Sequence, residues 1–109
     1  MELKINGLMV KVNQNIDTGG TSLQGYIGVS YNTLRAKLGS ELKNCGDGKV
    51  RAEWELEGEI NGLRVVATIY DWKESKPLND VIKWHIGGCD AKAVDLIKQI
   101  FVGHTVTVF

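Results

Sequence analysis

The tetrapeptide Ile-Asn-Gly-Leu occurs twice, at 5–8 and 60–63, and the second copy lies between two stretches in which apolar and polar residues alternate. Asn and Gly tolerate the positive φ angles of two-residue turns whose twist matches that of paired strands. Asn-Gly between alternating runs therefore predicts a hairpin. At Asn61-Gly62 such a turn sets Ile60 opposite Leu63, Leu56 opposite Ala67 and Trp54 opposite Ile69, pairs that agree in polarity. The incoming strand then carries Val50, Ala52, Trp54 and Leu56 on one face and Arg51, Glu53, Glu55 and Glu57 on the other. A slip of one residue would mix the two faces, so the register is fixed. The outgoing strand sends Leu63, Val65, Ala67 and Ile69 to the core. Arg64, Val66, Thr68, Tyr70 and Trp72 join the glutamates, with Glu59 meeting Arg64, Glu53 meeting Tyr70 and Arg51 meeting Trp72.

The first copy predicts another hairpin over roughly Leu3 to Val12. Ser30 is placed to cap a short helix with Tyr31, Leu34 and Leu38 inward and Gly39 as its left-handed stop. Asp90 is placed to cap a second helix, where Val94, Ile97 and Phe101 form a stripe beside Ala93, Leu96 and Ile100. Residues 82–86 and 105–109 read as further strands, the last able to join the edge of the first hairpin, and 13–25 and 73–80 read as loops. The expected order is β-β-α-β-β-β-α-β, an α+β domain over residues 1–109 with both helices on one side of an antiparallel sheet.

With 109 residues, 43% of them hydrophobic and 24% charged, the chain fits one packed core. Thirteen basic residues balance thirteen acidic ones, which removes the field that bulk nucleic-acid binding draws on and also argues against an acidic nucleic-acid mimic. No run of apolar residues approaches a membrane span, and Met1-Glu2-Leu3-Lys4 does not begin a secretory signal. Cys45 and Cys89 are too few and too far apart for a disulfide framework; reduced thiols in a cytoplasm are expected.

Catalytic candidates are thin. Cys89 beside a helix start, with His85 four residues away, is the best nucleophile and base, yet no third group orients them and Asp90 opposes a thiolate. Neither histidine has metal-ligand spacing, and Glu53, Glu55 and Glu57 stand about 7 Å apart in succession, too open for a coordination shell. We expect a binding protein without catalytic activity, cofactor or metal. Two glycine-rich segments offer amides to an anion: Gly19 to Gly25, with Thr21, Ser22, Gln24 and Gly25, and Gly87-Gly88 before the second helix. Tyr70-Asp71-Trp72-Lys73 and Trp84-His85 supply aromatic rings for stacking or for anchoring a partner. The glycines equally make turns, and the aromatic rings equally lie under a loop or helix.

Gly-Thr-Ser-Leu-Gln-Gly at 20–25, Ala-Glu-Trp at 52–54, Ala-Thr-Ile-Tyr-Asp-Trp-Lys at 67–73 and Trp-His-Ile-Gly-Gly at 84–88 together resemble a family of small bacteriophage-encoded accessory proteins. The resemblance implies a counter-defence role in the host cytoplasm, either capturing a small anionic, nucleotide-like signal or gripping a host defence protein. Under the first role Thr21, Ser22, Gln24, Gly87 and Gly88 face phosphate while Tyr70, Trp72 or Trp84 stacks on a base. Sheet edges left by the hairpins and the terminal strand leave a monomer and a homodimer both open.

Overall fold

A computed structural model describes residues 1–43 and 49–109. Cys45 lies outside the described residues. Eight strands and two helices follow in the order β1 (Glu2–Ile5), β2 (Leu8–Val12), β3 (Ser22–Gly28), α1 (Tyr31–Leu38), β4 (Leu42–Lys43), β5 (Ala52–Ile60), β6 (Leu63–Tyr70), β7 (Lys83–Gly88), α2 (Lys92–Ile100) and β8 (Thr105–Val108). A 3-10 turn, Leu78–Asp80, precedes β7. The strands form one antiparallel sheet in the order β1-β2-β5-β6-β7-β3-β8, with β4 on the same edge of β5 that β2 uses further along.

Both Asn-Gly pairs make the expected turns, with φ of 51° and 82° at Asn6 and Gly7 and 52° and 80° at Asn61 and Gly62. The β5–β6 register is the one polarity dictates, from Ile60 opposite Leu63 to Glu53 opposite Tyr70. It ends there. Arg51 does not meet Trp72; its backbone N–H and its Nε donate to the buried carboxylate of Asp71 at 2.8 and 2.9 Å. Arg64 forms its ion pair with Glu57, one step diagonal to the Glu59 opposite it. Leu63, expected in the core, is 53% exposed because it follows the turn at the free tip of the hairpin.

Ser30 Oγ accepts from the Thr33 N–H and Gly39 closes α1 at φ 84°, as the caps predict. Asp90 acts one residue outside its expected place: its Oδ1 accepts from the Lys92 N–H while Ala91 occupies the N-cap. Both helices cover the face that carries Trp54, Leu56, Ile69, Trp84 and Ile86. Trp54 Nε1 donates to Gly39 O and Trp84 Nε1 to Val29 O, each at 3.0 Å, so the indoles fasten the two ends of the α1 segment to the sheet.

Two expectations fail. Residues 22–28 form β3, a strand absent from the expected order whose first four residues fall in the segment expected as a loop, 13–25, and β8 pairs with β3 on the side of the sheet away from the first hairpin. The pairing of β3 with β7 shifts between Leu23 and Gly25, and this irregularity breaks the alternation by which a strand is recognised. The two-residue β4 also lies between the helices, which adds a strand to the expected three.

An aromatic ridge on the open sheet face

The β2–β3 connection must travel from beside β5 to the far side of β7, and its residues reach the face of the sheet opposite the helices. Asn13 anchors its start, donating from its N–H to Glu55 O and accepting from the Glu55 N–H at its Oδ1, both at 2.8 Å. Ile16 is buried but outside the main core, and Asp17 acts electrostatically on Arg64, which belongs to the open face. Thr68, on the same face, is buried at 4% exposure.

Beyond this connection the face is aromatic. Cross-strand pairing lines up Glu53, Tyr70, His85, Tyr26 and Thr107 on β5, β6, β7, β3 and β8. The rings of Tyr26 and His85 meet edge to face at 5.1 Å, and His85 stacks on Tyr70 at 5.4 Å with 24° between planes. Trp72 extends the series from Tyr70 and Phe109 extends it from Tyr26, each at 6.4 Å. These five rings make one continuous ridge. Ammonium groups stand over Trp72 at one end and over Tyr26, the ring before Phe109, toward the other: Lys83 Nζ lies 4.4 Å from the Tyr26 ring centre, while Lys49 and Lys73 lie 5.8 and 5.6 Å from that of Trp72. Such contacts are cation–π interactions, and they place positive charge beside flat apolar surface.

Charge along the ridge is tuned by burial. His85 titrates below the usual histidine value of 6.5, mainly because its imidazole is desolvated and secondarily because Lys83 repels a second cation. Glu53, beside Tyr70, is raised by burial and then by the neighbouring Glu55. Tyr70 is raised by burial first and by Glu53 second. At neutral pH the middle of the ridge is therefore an uncharged stack of rings.

The lowered His85 value makes a pH prediction. The unfolded chain binds a proton at about 6.5, whereas the folded protein resists it, so this histidine's contribution to stability is complete above 6.5. It is lost as pH falls from 6.5 through the folded value. Glu53 acts with the opposite sign at lower pH, because its folded form takes up a proton before its unfolded form does. Denaturant midpoints measured between pH 7.5 and 5.5 should fall for the wild type and fall less for His85→Gln; equal slopes would show that another group governs this window.

The residues singled out from the sequence divide into three sets. Tyr70, Trp72, Lys73 and His85 come together on the ridge. Trp84 and Asp71 do not: Trp84 is fully buried in the core and Asp71 holds the N–H groups of Arg51 and Ala52 at 2.8 and 3.0 Å. Gly87 and Gly88 are strand residues within the ladders to β3 and β6, not a loop before the helix. A Cβ on Gly88 would lie 2.2 Å from that of Ala93, so this glycine admits α2 onto the sheet, and one on Gly25 would lie 2.3 Å from Thr107 O. Gln24 Nε2 donates to Gly88 O at 3.0 Å and stitches the β3 irregularity to β7, with Ser22 beside it. Thr21 closes a turn on Thr18 O, and the Gly19 N–H is taken by Asp17 Oδ1 at 2.9 Å. The glycine-rich segments are thus built into the fold. The sequence reading missed Tyr26 and Phe109, although in Gly25-Tyr26-Ile27-Gly28 the alternation of Tyr and Ile carries the signal for an outward ring.

Cys89 lies just past the end of β7, four residues from His85 and about 13 Å away along an extended chain, which separates the candidate nucleophile from its base. Among the described residues no group of three or more His, Cys, Asp or Glu side chains could hold a metal ion, and no helix is long and apolar enough to cross a membrane. A concavity of about 540 Å³ opens between the tips of the β1–β2 and β5–β6 hairpins, beside Met9, Glu57, Glu59 and Arg64. It arises where β2 and β5 stop pairing after Lys11 and Glu57, and Asn6 Nδ2 bonds Gln99 O and Ile100 O at the end of α2 at 3.0 and 3.2 Å. None of the sequence-derived ligand candidates lines it.

Fold and site together define a two-layer α+β domain, helices on one face and an aromatic ridge on the other. Compared with protein-family models, curated proteins and solved structures, the chain matches none.

Proposed function

We propose that the protein binds a flat, anionic ligand of the nucleotide type on the ridge. One observation carries the reading: five aromatic rings in successive contact run along the open face, with lysine ammonium groups over Trp72 and over Tyr26. Rings offer a stacking surface to a base, worth about 1–3 kcal/mol for each base stacked, and the ammonium groups attract its phosphate. Thirteen basic residues balanced by thirteen acidic ones leave no long-range field, which suits a small ligand held by a few local lysines better than bulk nucleic acid. Catalysis is not part of the proposal. In the setting implied by the likeness to phage-encoded proteins, the chain would work in the host cytoplasm and withhold a nucleotide signal from a defence system.

Trp72 gives a direct readout. Trp54 and Trp84 are fully buried while Trp72 is 41% exposed, so a ligand stacking on the ridge should quench the exposed indole and leave the other two unchanged. Across a panel of linear and cyclic nucleotides, at least one should quench this emission and raise the melting temperature. Calorimetry should then show affinity about tenfold weaker in Trp72→Ala, corresponding to about 1.4 kcal/mol. A panel that shifts neither signal would remove this reading. The exposed Trp72 and the neighbouring carboxylates Glu53 and Glu55 support a second reading, a protein-binding inhibitor of a host defence complex with Trp72 as its anchor. That reading expects a captured protein whose retention is lost in Trp72→Ala.

A further inference from the structure

The two outer edges of the sheet are unlike. Outward on β1 stand Glu2 and Lys4, charges that discourage a further strand. At the other edge, β8 and the residue after it read Thr-Val-Thr-Val-Phe, with no charge, proline or glycine. Phe109 N–H donates to Gln24 O, and antiparallel alternation then turns the main-chain groups of Thr105, Thr107 and Phe109 toward β3 and those of Val106 and Val108 outward. Among the described residues nothing pairs with them. Apolar exposure is found here as well: Val108 is 60% exposed and Phe109 75%.

We infer that β8 pairs with β8 of a second copy, joining two sheets into one. The edge is complementary to itself. A two-fold axis at Thr107 sets Val106 opposite Val108 of the second copy, and Val108 opposite its Val106, so all four outward-facing residues exchange main-chain hydrogen bonds in closed symmetry. Thr107 meets its own counterpart on the open face, a favourable cross-strand pair. The same register brings the second copy's Phe109 beside Thr105, next to Gly28 and Lys83 in the adjoining row. Two aromatic ridges then lie end to end across the joined sheet, and each gains a ring from the other copy. The pairing itself needs no ligand, so it stands or falls separately from the nucleotide reading.

The Val108 N–H points away from β3, and proline there removes a donor that the single chain does not use. In sedimentation equilibrium without ligand, the wild type should approach twice the 12.0 kDa chain mass. Val108→Pro and Val108→Lys should each raise the dissociation constant at least tenfold while keeping the wild-type circular dichroism spectrum. Lys4→Pro, at the charged edge, should dimerise as the wild type does. A wild type that stays at 12.0 kDa at every concentration, or folded Val108 variants that dimerise undiminished, would overturn the inference.

Discussion

Trp84→Ala is expected to lower unfolding free energy by about 3–5 kcal/mol, the range for removing a large buried aromatic side chain. Trp84 is inaccessible to solvent, lies edge to face with Trp54 at 5.6 Å and stacks on Tyr31 at 6.3 Å, and donates from Nε1 to Val29 O. Its removal opens a cavity between sheet and α1 and leaves the Val29 carbonyl without this donor. Since a domain of this size is held by about 5–15 kcal/mol in all, the variant should be marginal. Urea unfolding at unchanged slope measures the loss directly. Trp72→Ala should stay within about 0.5 kcal/mol of the wild type, as expected for an exposed position. If Trp84→Ala proved as stable as Trp72→Ala, the indole would not fasten the helix layer to the sheet.

Asp71→Ala is expected to cost about 3 kcal/mol. The carboxylate is buried and satisfies two backbone N–H groups, those of Arg51 and Ala52, besides pairing with the Arg51 guanidinium. Breaking a buried pair from one side costs about 3–5 kcal/mol, and the low end applies because the Arg51 side chain is 35% exposed and regains water. Asp71→Asn keeps an acceptor for the two N–H groups and should lose less. Equal losses in the two variants would assign the effect to the ion pair alone. Asp71 lies between Tyr70 and Trp72, so its hold on the start of β5 also sets the direction in which the ridge leaves the sheet.

These variants separate the two roles that one run of sequence combines. Tyr70-Asp71-Trp72-Lys73 looks like a single recognition segment, yet Asp71 turns inward to close a strand end while its aromatic neighbours face out. Strand alternation makes such a division unavoidable, since successive side chains point to opposite faces. The same rule divides Trp84 from His85: the indole enters the core and the imidazole joins the ridge.

Sequence by itself determined whatever depends on near neighbours. Asn-Gly turns fix hairpin register through φ, Ser30 and Gly39 bound α1 through their hydrogen bonds, and the period of 93–101 selects the buried side of α2. It pointed also to both helices sharing one face, because one side of β5 is uniformly apolar and the other carries Glu53, Glu55 and Glu57. What the tertiary structure alone decided is which distant strands become neighbours. Tyr26 and His85 are brought to 5.1 Å by the pairing of β3 with β7, a contact between residues 59 positions apart that no local pattern announces. The partner of an edge strand is chosen by the packing of whole layers, since backbone hydrogen bonds are alike in every pairing and carry no address. The ridge therefore exists only after β3 has taken its place between β7 and β8, and its rings acquire common purpose from topology rather than from spacing in the chain.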